Sequence, residues 1–394
     1  MATKLFVTLA FIASPFLSLG LVVYGLFRDE KYRRYYGFLL SIVVGLLMYK
    51  VMPTSDMDLW RYYDFLSDMS TLSPLAALTQ IWQGSDPLSY SFIYIVGGAL
   101  GSHAVPLIES MVTYGIFFFI LFDYAKNLKL QARYLALVST FFFSIYSIVN
   151  TFSGIRFGLA ISLFALAVYL DIVKNKKPIA RLLYLLTPLF HTSMITLLLV
   201  RVIAGIFRQR FLWLQLFLVA LVGLSTTLLL IVSRVLTNVP FLSIVAERAD
   251  FYLNPEFPSG TWYPFNVGIT LILLALLVIA YRKRIKPKER LLLKLNLYVV
   301  VIALSNVTNA YVASRYMTIA KILFSINLIF IMFYIQKTGY FKTRKILMRL
   351  LITGFIVTVI AFLGYQYAAL RYLDYGGLFP YGIMDNLVLL LMRN

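Results

Sequence analysis

Apolar runs of about 18 to 23 residues recur along the whole chain, each the length a helix needs to cross roughly 30 Å of hydrocarbon. A backbone in lipid must satisfy its own hydrogen bonds, which leaves helices and closed barrels as spanning structures. The short alternating segments of a barrel are absent. The expectation is an all-α fold, a polytopic transmembrane helix bundle. Composition agrees: with 13% charged residues and a mean hydropathy of +0.84, a soluble domain of 394 residues could not cover its own surface.

The net charge of +20 would suggest nucleic acid in a soluble protein. Here the basic residues sit in short loops between apolar runs, so no nucleic acid is expected as a partner, and membrane lipid is. The absence of cysteine excludes disulfides, thiolate catalysis and thiolate metal sites. The first apolar run, 5–27, is too long for a signal-peptide core and lacks a small-x-small cleavage site, so it reads as a span.

The pattern predicts about ten full spans, near 5–27, 36–53, 104–124, 133–150, 153–173, 211–233, 264–281, 291–311, 315–336 and 347–366. Charge sets their direction. Arg28, Lys31, Arg33 and Arg34 follow the first span, Lys126, Lys129 and Arg133 the third, and Lys174, Lys176, Lys177 and Arg181 the fifth. Arg208 and Arg210 precede the sixth, a run from Arg282 to Arg290 follows the seventh, and Lys337 to Arg349 precede the tenth. The opposite loops hold most of the acids, including Asp56, Asp58, Asp86, Glu247 and Asp250. One orientation satisfies every assigned loop, with both termini outside.

Residues 179–207 begin and end beside cytoplasmic charge, so they must cross an even number of times, yet they are too short for two spans. They predict a re-entrant helical hairpin turning at Pro188 and His191-Thr192-Ser193, where irregular backbone must be packed in protein or line a wet cavity. The extracytoplasmic loops are 54–103, with a short helix around 89–100, and 234–263. No linker or repeat breaks the chain, so 1–394 reads as a single integral membrane domain.

The outer half favours arginine: Arg61, Arg156, Arg234, Arg248, Arg315, Arg371 and Arg393 against Lys50 and Lys321. Guanidinium suits bidentate grip on phosphate or carboxylate oxygens. The alternative is ion pairing with the outer acids and snorkelling to head groups. Arg156 and Arg315 stand out because each lies at the outer start of an apolar helix, where charge costs enough to demand a partner. Gly154 and Gly158 form a small-xxx-small pair that fits close helix packing. His191 falls at the hairpin turn, as a base, an acid, an anion contact or a packed residue; His103 is read as incidental.

In the first outer loop Asp56, Asp58, Trp60, Arg61, Tyr62 and Tyr63 lie together. Short acidic loops are common, but a carboxylate there could deprotonate a sugar hydroxyl; a metal site would lack an adjacent third ligand. Asp86-Pro87 closes the loop and starts a helix. Outer tyrosines, among them Tyr62, Tyr63, Tyr90 and Tyr316, read as an interfacial belt, with a subset near the arginines able to stack on sugar rings. No Walker loop, zincin motif or dinucleotide fingerprint is present, so no cofactor and no metal are expected.

Four stretches occur in order: Asp58-Leu59-Trp60-Arg61-Tyr62-Tyr63, then Ser153-Gly154-Ile155-Arg156-Phe157-Gly158-Leu159-Ala160, then His191-Thr192-Ser193-Met194, then Arg315-Tyr316, with Phe379-Pro380-Tyr381 near the end. Together they resemble the EpsG-type branch of bacterial O-antigen and capsule repeat-unit polymerases, the Wzy-like proteins. The chain departs in one place, having Phe157 where members often carry glutamine. The resemblance implies a GT-C-like glycosyltransferase of the bacterial plasma membrane with an extracytoplasmic active face. It would move a growing glycan from undecaprenyl diphosphate to the non-reducing end of a lipid-linked oligosaccharide repeat unit, with a chain-length regulator as a candidate partner. Arg156 and Arg315 would stabilise the leaving diphosphate, with Arg61, Arg248, Tyr62, Tyr63 and Tyr316 as further contacts. His191, Asp58 or Asp56 would take the acceptor proton. The rivals are an O-antigen ligase or another lipid-linked sugar transferase, and, from a different class, a lipid-linked oligosaccharide flippase. A ligase usually carries its large outer loop late, whereas the longest loop here comes early. A flippase would favour repeats and mid-membrane charge in both halves.

Overall fold

The computed structural model describes residues 2–51, 53, 57–146, 154–207, 212–235, 262–281 and 286–338, together with Ile356 and Ile360. Among the described residues the chain is helical, without a β-strand. Ala104–Leu128, Ile155–Val173, Tyr263–Tyr281 and Ala310–Lys337 are each long and apolar enough to cross a membrane, and shorter apolar helices accompany them. The chain divides into two compact units, Met1–Met194 with Leu328–Asn394, and Ile195–Asn327.

The first unit contains α1 (Ala2–Ala13), α2 (Leu19–Arg28), α3 (Arg33–Tyr49), α4 (Asp58–Ser70), α5 (Pro74–Gln83), α6 (Pro87–Leu100), α7 (Ala104–Leu128), α8 (Ala132–Ile145), α9 (Ile155–Val168) and α10 (Lys177–Phe190). Its centre is α7, against which α3 and α9 pack. Glycines on α3 allow the approach. A Cβ at Gly37 would meet the Phe122 ring at 2.8 Å, and one at Gly45 would meet the Leu107 carbonyl at 2.9 Å.

At the basic end of this unit the buried carboxylate of Asp123 gathers Arg34, the Tyr169 hydroxyl, Lys174 Nζ at 2.5 Å and Asn127 Nδ2 at 3.2 Å. A turn of π-helix, Tyr169–Val173, extends α9 and makes this convergence possible. Residues five apart on an α-helix point about 140° from one another. In the wider turn they stack, so Tyr169 and Lys174 reach the same carboxylate.

The run 5–27 is not one span. α1 and α2 have 12 and 10 residues, about 18 and 15 Å of helix, and the chain turns between them at Ser14–Ser18, where Pro15 lacks the N–H a continuous helix would need. Lys4 Nζ lies over the rings of Tyr32 and Tyr35 at 5.0 and 4.4 Å, and the Thr8 and Tyr35 hydroxyls are 2.7 Å apart. The chain therefore leaves and returns to one end. The start of α1 thus lies beside the basic cluster that opens α3, whereas a single span over 5–27 would set the two at opposite ends. At the other end Phe16 packs on the cluster of Met48, Met57, Leu59, Tyr62, Val105 and Ile155.

The loop 54–103 forms three helices rather than one. Ser73 Oγ caps α5 by accepting from the Ala76 N–H, and prolines open both α5 and α6. α10 ends where His191 is extended, and the next helix begins at Met194.

The second unit holds α11 (Met194–Ile206), α12 (Leu212–Val235), α13 (Trp262–Tyr281), α14 (Pro287–Ser305) and the first part of α15 (Ala310–Thr338). α14 packs on α12 and α13, and Asn306 Nδ2 donates to the Gly223 carbonyl at 3.1 Å. α14 stops short of the predicted end of its span, and Asn309 Oδ1 accepts from the Val312 N–H to start α15. Arg315 consequently sits in the second turn of its helix, not at its start. The span at 347–366 lies outside the described residues except at Ile356 and Ile360.

Candidate functional site

The first turn of a helix has N–H groups with no intrahelical partner and carries partial positive charge. Arg156 adds a guanidinium there, in the first turn of α9, and so requires an anion. Asp86 supplies it, with Oδ2 at 2.9 Å from Nη1. Nε donates to the Tyr62 hydroxyl at 3.1 Å. The rings of Tyr62 and Tyr90 flank the guanidinium at 5.8 and 5.1 Å. The side chain remains 23% exposed, and neither of these two bonds uses Nη2.

Asp86 is 4% exposed and holds a left-handed backbone, φ 58°, immediately before Pro87. It occupies the cap position of α6 yet makes no cap bond. Its second oxygen instead accepts from the Thr192 N–H at 2.8 Å and the Thr192 hydroxyl at 2.6 Å. Ser89 Oγ donates to the Phe190 carbonyl at 2.7 Å. One carboxylate thus joins the start of α6, the start of α9 and the turn after α10.

His191 is buried in that turn. Its Nδ1 accepts from the Ser193 N–H at 3.2 Å, with the Ser193 hydroxyl at 2.8 Å. An Nδ1 that accepts from a backbone N–H leaves the neutral ring's proton on Nε2. Phe157 packs edge-on against the imidazole, ring centroids 5.7 Å apart, which gives the residue after Arg156 an apolar task here.

Asp58 opens α4, one turn before Tyr62, and is 35% exposed, with Arg61 Nη1 at 3.3 Å. Arg61 itself is 60% exposed. Burial pushes the Tyr62 phenol above its ordinary range, and the Arg156 charge offsets this only in part; the hydroxyl stays protonated. Tyr63 turns elsewhere: its ring meets His103 at 5.6 Å, and Tyr49 lies near the same imidazole at 6.0 Å.

Asp58, Tyr62, Arg156 and His191 are therefore assembled in the first unit, and Tyr63 flanks them. Arg315 and Tyr316 belong to the second. The Arg315 guanidinium lies 4.3 Å from the Tyr311 ring centroid, with Nη2 donating to the Tyr311 hydroxyl. Tyr316 is buried and hydrogen-bonded to the Thr196 side chain. Asp56 and Arg248 lie outside the described residues. No cluster of three metal-binding side chains occurs among the described residues.

Sequence reasoning missed Asp86. Its place before Pro87 is already explained by helix initiation, so nothing local marked it. The signal was indirect, since a guanidinium in an apolar run demands a partner. The assembled cluster can hold an anion against one cation, with a phenol and an imidazole at hand.

These features define a class: an all-helical membrane protein with a guanidinium–carboxylate pair set among helix ends. The model of the EpsG family matches residues 33–382, and the chain belongs to that family, whose members are membrane proteins of the polysaccharide-polymerase type. No curated protein and no solved structure matches the chain.

Proposed function

We propose that this chain is the repeat-unit polymerase of an O-antigen or capsular polysaccharide, working on the extracytoplasmic side of the bacterial plasma membrane. The observation that carries the reading is Arg156, fixed by Asp86 and Tyr62 with Nη2 engaged by neither. Glycosyl transfer from a lipid diphosphate needs charge neutralisation of a leaving group that is already acidic. Nη2 of Arg156 contributes that charge, in a preorganised setting where such donors act most strongly. The half-buried ring of Tyr90, beside the Arg156 guanidinium, receives sugar.

In the step itself the acceptor hydroxyl oxygen bonds to the anomeric carbon while the carbon–oxygen bond to the diphosphate breaks, and the electron pair leaves with undecaprenyl diphosphate. The acceptor proton passes to Asp58, the most accessible carboxylate of the cluster. Both oxygens of Asp86 are occupied by Arg156 and Thr192, which makes it a positioning residue. With its proton on Nε2, His191 serves as a donor to the leaving oxygens rather than as the base.

Arg156→Ala is expected to insert and accumulate normally while cells make only single-repeat glycans, read by gel electrophoresis of the polysaccharide. Full-length polymer from this variant would remove Arg156 from the mechanism. A ligase mutant, by contrast, accumulates polymer on the carrier lipid. A second reading, carriage of lipid-linked oligosaccharide, draws support from Glu109 and Lys321, both buried within apolar helices. Purified protein incubated with lipid-linked repeats separates the two: chain growth without a gradient excludes pure transport.

A further inference from the structure

Glu109 lies within α7, and none of its surface is exposed. Its Oε1 accepts from the Thr113 hydroxyl at 2.8 Å and its Oε2 from the Ser110 hydroxyl at 3.2 Å, both groups being fully buried. A Cβ at Gly158 would collide with Oε1 and would stand 3.2 Å from the Tyr146 hydroxyl. Spacing alone assigns Gly158 to close helix packing. In the fold it clears room for a carboxyl group.

No cation pairs with Glu109 among the described residues. The surrounding helices show why. α3 has no charged residue between Arg34 and Lys50, α8 none after Arg133, α9 none between Arg156 and Asp171, and α6 none at all. α7 itself has none between Glu109 and Asp123. Arg156, two residues from Gly158, is already paired with Asp86, and Asp123 with Arg34 and Lys174. An ionised carboxylate in such surroundings is costly unless a charge balances it. Ionisable groups retained inside spans mark sites of exchange more often than of packing.

We infer that Glu109, with the hydroxyls of Ser110, Thr113 and Tyr146 around it and Gly158 leaving it space, is a binding site for a monovalent cation from solution, either a proton or a sodium ion. The two share one chemistry, a single positive charge on a carboxyl lined by hydroxyl oxygens. The site is separate from the proposed transferase cluster and does not rest on it.

The test is labelling of the full-length protein in membranes by a hydrophobic carbodiimide, which reacts with protonated carboxyl groups in apolar surroundings, read by peptide mass spectrometry. The expected result is modification at Glu109 that declines as pH rises, is absent in Glu109→Gln and is weakened in Gly158→Ala. If sodium protects Glu109 at fixed pH and potassium does not, the ion is sodium; if sodium has no effect and pH alone governs the reaction, it is the proton. Glu109→Gln keeps the shape and the hydroxyl contacts, and a symmetrical size-exclusion peak confirms that it folds. Labelling at Glu109 that ignores both pH and sodium, or no labelling under any condition, overturns the inference. The readout does not involve glycan synthesis, so its failure would leave the proposed function standing, and the reverse.

Discussion

Replacing Asp86 with asparagine isolates the charge of one carboxylate from its shape. Asparagine tolerates the left-handed backbone about as well as aspartate, so the conformation at φ 58° adds no new cost. Its single oxygen, however, can serve Arg156 or Thr192 but not both. Removing one partner of a fully buried ion pair costs about 3–5 kcal/mol. Because the Arg156 side chain is 23% exposed, water recovers part of that loss, and about 2 kcal/mol is expected for Asp86→Asn. Asp86→Ala also loses the remaining polar contact and places an alanine in left-handed space, which adds about 1 kcal/mol. Reversible unfolding in mixed micelles titrated with dodecyl sulfate, followed by tryptophan fluorescence, measures both. An Asp86→Asn protein within about 0.5 kcal/mol of the unchanged chain, or an alanine variant no weaker than the asparagine one, would refute the assignment of Asp86 as the tie between α6, α9 and the turn after α10.

Arg156→Lys keeps the charge but loses the planar fork that reaches Asp86 and Tyr62 together; glycan gels are expected to show much shorter chains, and unchanged length would mean that charge alone suffices. Asp123→Asn, at the other end of the unit, leaves Arg34 and Lys174 converging without their common anion; because both cations are more exposed than Arg156, it should cost about 1 kcal/mol in the same micelle titration, with glycan length per folded molecule unaffected.

Much of the helical architecture could be read from spacing alone, because apolar runs of spanning length admit few alternatives. Arg156, too, was visible, as a guanidinium where α9 begins. Spacing could not reveal partnership between distant residues. Asp86 and Thr192 are far apart in sequence, and each has an ordinary local explanation, a helix start and a turn. The run 5–27 misled for a related reason. Apolar content is the same for a helix that crosses once and for two short helices that return, and only Ser14-Pro15 and the charge on Lys4 distinguish them. The start of α15 shifted because Asn306 and Asn309, polar residues inside an apolar stretch, close a turn that hydropathy averages away.

The returning pair α1–α2 bears on how the rest of the chain becomes oriented. A segment that comes back to its starting side contributes no net translocation, so it cannot dictate the direction of the helices after it. Excising residues 2–28 should leave every later loop on its original side, whereas excising a single crossing would invert them or leave them in conflict. The direction of the later helices is then expected to be set from α3 onward, by the arginines at its beginning.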